Sequence, residues 1–457
     1  LWTEASTSAQ YLEHDEEQRF SRSQKLVAEY NTNFALTYAP IAEHFVSFEC
    51  LAFNGRMPFS DVLEVVTSGS NVLLKGPSGI GKTLASFRIG LHSMGCNYVP
   101  VVIYSKDFID DFDELADSET RLLGFDFDAL MEACKLSGVR PIFIIDGYNE
   151  CSEAKIDRLV RSAGAVIKHH NGLGVLTSQT DCGFEELLDL RIFQCLPLSM
   201  ENKRLIAQNA SSIDPLPDGV ESMLSAVASG LEARIIGEVS AQLPRGVSRY
   251  GTFDAYVRAF LGSDASTAVR LLSDFAFLLC ERLSYSLSFR DLDRSGNAIV
   301  HQLNLFQKLE RIKILDIKRG RISFGHELYL SAFGAEAVIR RARENASTVI
   351  KALSLPIHAA RKGLILGAID DTDLLCSVTE SISDSTLLAE CLDGQCGATA
   401  RLVAENRCKA AIVRMREEIE ACSFRLKKGE DDHVEVETLG SCCRTRFSCH
   451  CSNVFTV

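Results

Sequence analysis

The sequence predicts an α/β domain, a parallel sheet flanked by helices, followed by helical and winged-helix domains and a C-terminal all-α region. Three observations predict it. Short apolar runs alternate with helical segments between Asn71 and Cys195, the pattern of parallel strands joined by right-handed crossovers. A glycine-rich stretch, Gly76-Pro77-Ser78-Gly79-Ile80-Gly81-Lys82-Thr83, stands between one such strand and one such helix. After Leu198-Ser199 the strand signal mostly stops, apart from one hairpin-like segment.

The elements follow in order. Residues 1–64 form an N-terminal segment, polar and helical in pattern to about Pro58, with apolar spacing such as that in 24–30. Residues 65–200 form the α/β domain. Its strands are 71–75, 98–104 (YVPVVIY), 141–146 (PIFIID), 174–178 and 191–195, and its helices 82–93, 128–136 and 153–169. PIFIID is a continuous apolar run, the mark of a strand buried on both faces. Residues 201–264 read as a helical subdomain. Within 265–342, two alternating runs flank a turn at Gly320 in 314–324, and a small hairpin among helices suggests a winged helix. Residues 343–430 are helical in pattern to about Leu426, and 431–457 are charged and then cysteine-rich.

Composition sets the outer bounds. A chain of 457 residues accommodates two to four compact units at about 100–200 residues each. Its 46% hydrophobic and 24% charged residues are those of a globular chain. A net charge of -13 argues against non-specific nucleic-acid binding, which needs many cationic phosphate contacts. No apolar run approaches the roughly 18 residues of a membrane span. Cysteines such as Cys50, Cys96, Cys134, Cys195, Cys280 and Cys376 are scattered singly through apolar segments, where thiols act as small hydrophobes. With no secretory signal at the start, a cytoplasmic setting is expected. The first residue is Leu1 rather than methionine, so a fragment or an unusual start codon is expected.

The chemistry centres on the glycine-rich stretch. Glycines 76, 79 and 81 let the backbone curl and aim several N–H groups at one point, and the following helix adds its positive end. Lys82 supplies a cation to β- and γ-phosphates, and the Thr83 hydroxyl is a Mg²⁺ ligand. The stretch is therefore read as a phosphate loop for ATP or GTP. Asp146, ending PIFIID, is placed to hold Mg²⁺, and Glu150 to polarise an attacking water. The strand VLTSQ ends in small hydroxyl residues, and Ser178 is a candidate for reading the γ-phosphate.

Taken in order, these segments resemble the NACHT family of signal-transducing P-loop NTPases, of the STAND class. The matching text is GPSGIGKT, PIFIIDGYNE, VLTSQ and LPLSMENKR, followed by ISFGHELYLSAF at 322–333, similar to the family's winged-helix ending. The resemblance covers roughly 65–342. It implies that Gly76 to Thr83 bind phosphates and Mg²⁺, that Asp146 binds Mg²⁺, and that Glu150 assists hydrolysis. It also implies that His326 contacts the β-phosphate of bound ADP in a closed resting state. Three departures stand out: Asn149 replaces an acid, Gln179 an arginine, and 230–234 lack a proline beside the adenine. Together they imply slow hydrolysis or none, with binding retained.

The expected function is thus a cytoplasmic ADP/ATP switch, opened by a trigger sensed in the C-terminal region and then self-associating. Nucleic acid is expected only as a trigger, and no membrane partner is expected. An AAA-type motor is an alternative class; it needs an arginine acting in trans, with Arg121, Arg140 and Arg191 as candidates. A nucleotide-binding scaffold without useful hydrolysis is another. The cluster Cys442, Cys443, Cys449, His450 and Cys451 reads as an atypical tail. Its adjacent cysteines crowd one another, unlike the separated pairs of a zinc site.

Overall fold

The computed structural model describes residues 2–53, 55–294, 303–318, 320–342, 345–421, 424–428, 434–438 and 447–449. The chain opens on a long helix, α1 (Trp2–Ala42), and a hairpin of β1 (Glu49–Ala52) and β2 (Gly55–Pro58). There follow α2 (Phe59–Thr67), β3 (Asn71–Lys75), α3 (Lys82–Met94), β4 (Tyr98–Tyr104), α4 (Phe112–Leu122) and α5 (Phe127–Ser137). The α/β part ends with β5 (Arg140–Asp146), α6 (Glu153–His169), β6 (Leu173–Ser178) and β7 (Leu190–Cys195).

The sheet runs β2-β1-β7-β3-β6-β5-β4. The strands from β7 to β4 are mutually parallel, while β1 is antiparallel to both neighbours. The sheet is therefore mixed, not purely parallel. The hairpin lies where the sequence pattern suggested helix. In β1 only Cys50 faces inward, between exposed Glu49 and Leu51, and four residues are too few to show a strand period. On α1, Tyr30, Phe34 and Tyr38 recur every fourth residue and are buried. That stripe packs the helix on α3 and α5, and the Tyr30 hydroxyl donates to the Pro100 carbonyl at 2.9 Å. All of 141–146 is buried, as a strand between two helical layers requires.

Parallel pairing brings the C-terminal ends of the central strands to one edge. Lys75 of β3 lies opposite Ser178 of β6, and Asp146 of β5 opposite Tyr104 of β4. The loops leaving those ends share one crevice, where open α/β sheets place their ligands.

The rest of the chain is mostly helical: α7 (Met200–Ala210), α8 (Val220–Ala226), α9 (Gly230–Val239), α10 (Arg249–Leu261) and α11 (Ala265–Glu281). Then come β8 (Ser286–Ser288), α12 (Phe289–Arg294), α13 (Leu303–Arg311), β9 (Leu315–Lys318), β10 (Arg321–Phe324) and α14 (Glu327–Ala342). The hairpin at 314–324 is present, with Gly320 at a φ of +71°, and β8 joins it as a third strand. Next are α15 (Ala346–Leu353), α16 (Lys362–Gly367), α17 (Thr372–Glu380), α18 (Ser385–Leu392) and α19 (Ala398–Ala421). The C-terminal region is not all helical. β11 (Phe424–Lys428), β12 (Val434–Thr438) and β13 (Phe447–Cys449) form an antiparallel sheet. Val434 and Val436 alternate with charged residues, a period of two that the charge density of the segment obscures in sequence. Cys442, Cys443, His450 and Cys451 lie outside the described residues.

Two large cores result. One fills the α/β part, and the other joins α9–α11, the hairpin and α14–α19.

Candidate functional site

The loop between β3 and α3 is built as its glycines require. Gly79 and Gly81 have φ of +75° and +109°, a region side chains disfavour. The Gly76 N–H donates to the Ser178 carbonyl at 3.0 Å, extending the β3–β6 pairing into the loop. The loop then turns into α3, capped by Gly81, so the first free N–H groups of that helix point into the crevice. Lys82 is buried, and its Nζ donates to the loop's own Gly76 and Pro77 carbonyls at 2.7 and 2.8 Å. Burial lowers its pKa, opposed by the carboxylates of Asp146, Glu327 and Glu150.

Asp146 sits at the end of β5, beside the first turn of α3. The Thr83 hydroxyl lies 2.9 and 3.0 Å from its two oxygens, and Thr177 Oγ1 donates to Oδ1 at 2.7 Å. Burial raises the Asp146 pKa, and the bonds from Thr177 and Thr83 pull it back. Glu150 follows in a short 3₁₀ turn, Tyr148–Glu150. Burial lifts its carboxyl to about 7, with Lys106 opposing. Lys106 also pairs with Asp316 of β9 at 3.3 Å.

A second set of residues covers the loop. The Gly230 N–H at the start of α9 donates to the Gly79 carbonyl at 2.8 Å. A Cβ on Gly79 would lie 2.6 Å from Ser229 Cβ and 2.8 Å from Leu328 Cδ1, so only glycine fits between the two. Leu328 belongs to α14, and its N–H donates to His326 Nδ1 at 3.1 Å. The half-buried His326 is pushed down to about 4 by burial, then by the charges of Lys82 and Lys106. Glu327, next to it, accepts from the Gln179 side chain.

The structure thus brings the loop 76–83, Asp146, Glu150 and His326 to one crevice. Ser178 lies in it too, but its hydroxyl accepts from the Thr180 N–H at 3.1 Å, and Thr177 is the residue bonded to Asp146. Asn149 and Gln179, both departures from the NACHT pattern, are joined: Asn149 Oδ1 accepts from the Gln179 N–H at 3.1 Å. Arg140 and Arg191 lie toward the opposite, N-terminal ends of their strands, and Arg121 pairs with Asp117 and Asp126 near the end of α4. Sequence reasoning missed Thr177, Lys106, Ser229, Glu327 and Leu328. The hydroxyls of VLTSQ signalled the first, Glu327 and Leu328 lie in the segment 322–333 without a role being legible there, and nothing local signals Lys106 or Ser229.

The donors suit a hard cation. Adjacent ligands of an octahedral Mg²⁺ lie about 2.9 Å apart for bonds of about 2.0–2.1 Å, the spacing found between Thr83 Oγ1 and the nearer Asp146 oxygen. Among the described residues no cluster of three His, Cys, Asp or Glu side chains forms a separate metal site, and no helix is long and apolar enough to cross a membrane. The arrangement is that of an α/β P-loop domain.

No family model matches the chain, and no curated protein matches it. Among solved structures, Cdc6p from Pyrobaculum aerophilum aligns at 13% identity over 60% of this chain and 92% of its own, with a TM-score of 0.31. A RuvB mutant from Thermotoga maritima aligns at 14% identity over 58% of this chain and 90% of its own, with a TM-score of 0.28. A signal transduction ATPase with numerous domains and a tetratricopeptide repeat sensor, from Pyrococcus horikoshii, aligns at 14% identity over 80% of this chain, with a TM-score of 0.32. This chain spans 56% of that protein.

Proposed function

We propose that the chain is a nucleotide-dependent signalling switch of the NACHT type, which binds ADP or ATP with Mg²⁺ and hydrolyses ATP slowly. The observation that carries this reading is the double cover over the phosphate loop. Gly79 is closed in by Ser229 of the helical part and Leu328 of α14, so a nucleotide on the loop lies between two parts of the chain.

The residues take the following roles. The loop N–H groups and Lys82 hold the phosphates, the lysine exchanging its bonds to the Gly76 and Pro77 carbonyls for phosphate oxygens. Thr83 and Asp146 hold Mg²⁺, which when bound neutralises charge on the β- and γ-oxygens. Glu150, lifted to about 7, accepts a proton from water near neutrality. Gln179 is engaged with Asn149 and Glu327, which supports slow rather than vigorous turnover. Neutral His326 lies near the charge of Lys82, so it accepts or donates a hydrogen bond without adding charge.

Opening requires a trigger that binds the open state more tightly than the closed one. The C-terminal region is the proposed sensor and self-association the proposed output, in a cytoplasmic setting. The test is to purify the protein without added nucleotide, denature it and identify what is released. Stoichiometric ADP is expected from the wild type and none from Lys82→Ala. An empty site that rapidly turns over added ATP overturns the switch and favours a motor.

A further inference from the structure

Two thiols beneath the phosphate loop have no part in the reading above. Cys50 of β1 and Cys195 of β7 face each other directly in the antiparallel pairing, and both are fully buried. The Leu196 N–H donates to the Glu49 carbonyl at 2.9 Å. That bond makes the next pair along the register the hydrogen-bonded one and leaves Cys50 and Cys195 as a non-hydrogen-bonded pair. Cα atoms in such a pair are about 4.5 Å apart, at the near edge of the roughly 4.4–6.8 Å that a disulfide spans. The thiols touch. A hydrogen bond from Cys195 holds the Cys50 thiol below its ordinary value, and the same contact pushes Cys195 up.

Cys195 also supports the loop. A Cβ on Gly76 would lie 3.0 Å from Cys195 Cβ and 3.4 Å from its carbonyl oxygen, so the two backbones are in contact. The hairpin carrying Cys50 is the margin of the sheet, and β1 meets β7 over a short register, Cys50 and Leu51 opposite Cys195 and Gln194 with one further bond from the Leu196 N–H to the Glu49 carbonyl. Local opening of so short a pairing exposes the thiols to a small oxidant.

We propose that Cys50 and Cys195 form a reversible oxidation site for hydrogen peroxide, and that their disulfide weakens the grip of the phosphate loop on nucleotide. The Cys50 thiolate attacks one peroxide oxygen; the O–O bond breaks, giving a sulfenic acid on Cys50 and hydroxide. Cys195 transfers its proton to that hydroxide, forming the first water. The resulting Cys195 thiolate attacks the Cys50 sulfur, and the displaced hydroxyl takes a solvent proton to leave as the second water. The proton released when Cys50 first ionised balances that uptake. The two thiols lose two electrons, and one peroxide becomes two waters. A relaxed disulfide prefers Cα atoms about 5.5–6 Å apart, so the bridge pushes β7 away from β1. Cys195 packs so closely on Gly76 that a Cβ there would crowd it, and the displacement passes into the loop.

The second half of this inference rests on the nucleotide reading; the first does not. The test treats reduced full-length protein with a few equivalents of hydrogen peroxide, blocks free thiols, and maps linked peptides by mass spectrometry. ADP binding is then measured before and after oxidation. A Cys50–Cys195 linked peptide is expected, with ADP affinity about tenfold weaker, equivalent to about 1.4 kcal/mol, and restored by dithiothreitol. Cys50→Ala is expected to yield no such peptide and to keep its affinity through peroxide treatment. Oxidised wild type without the linked peptide overturns the oxidation site, whatever the variant does. A linked peptide with unchanged affinity overturns the coupling to the loop. Reduced protein that binds neither ADP nor ATP overturns the nucleotide reading and leaves the peptide result standing.

Discussion

The phosphate loop is covered from two sides, and the two covers are made of different chemistry. At the start of α9, Ser229 caps the helix: its hydroxyl donates to Glu232 Oε2 at 2.7 Å and accepts from the Glu232 N–H at 3.1 Å. Arg249 Nε donates to Glu232 Oε1 at 2.7 Å, and its guanidinium reaches Gln395 Oε1 at 3.1 Å. Each partner is satisfied, and a chain of contacts joins Gly79 to the turn before α19. At the start of α14 the groups are less settled. His326 is held neutral by burial and by two lysines, Glu327 is tied to a nucleotide-domain glutamine, and Lys106 is shared between Asp316 and the field of Glu150. The first seam fastens the helical part to the loop. The second balances charges, and on the proposed switch it is the seam that an arriving phosphate would open.

The largest expected effect comes from breaking the first seam. Glu232 is fully buried, and Arg249→Met removes the ion-pair partner of its carboxylate. Stranding a buried charge costs about 3–5 kcal/mol; with Arg249 17% exposed, about 3 kcal/mol is expected from urea unfolding. A loss under about 1 kcal/mol would mean that Glu232 is solvated, by the measure of exposed pairs, and that the seam is no anchor.

This contrast also explains what could be read beforehand. The glycines, Lys82 and Thr83 are legible because eight consecutive residues carry their chemistry, and Asp146 because an all-apolar run precedes it. The five parallel strands follow from the same runs. The covers are not legible, because their partners are far apart in sequence: 148 residues between Gln179 and Glu327, and 210 between Lys106 and Asp316. No local period encodes such meetings. Ser178 and Thr177 differ for a finer reason. Both hydroxyls are visible in VLTSQ, but which one faces Asp146 depends on the register of β6 between its neighbours, and one residue reverses the face. The hairpin of β1 and β2 was lost to its shortness.

A smaller effect is expected at the second seam. His326→Leu removes the ring that accepts from the Leu328 N–H and loosens the start of α14 over Gly79. ADP release, followed with a fluorescent analogue, should quicken about tenfold, the equivalent of about 1.4 kcal/mol. Arg249→Met, compared at a denaturant-free temperature where it stays folded, should change release less than it changes stability. If the two variants reverse these roles, the assignment of anchor and switch is reversed too.

The smallest effect sharpens the contrast through pH. The ordinary imidazole value of 6.5 applies to the unfolded chain, whereas His326 in the fold is held at about 4. Above pH 6.5 neither state carries the proton. Between the two values the unfolded chain binds a proton that the folded chain refuses, so stability falls as pH drops through this window and levels off below about 4. At pH 5.5 the loss is about 1 kcal/mol relative to neutral pH. Glu150 works the other way, because its raised value of about 7 stabilises the fold at low pH and fades as pH rises through that value. The two slopes oppose, so wild-type stability alone would hide both. Subtracting the His326→Leu curve removes the Glu150 contribution and leaves that of the histidine. The variant should gain about 1 kcal/mol on the wild type between pH 7.5 and 5.5. A flat difference would mean that His326 is free to take a proton in the closed state, and that the α14 cover is as insensitive to charge as the α9 cover.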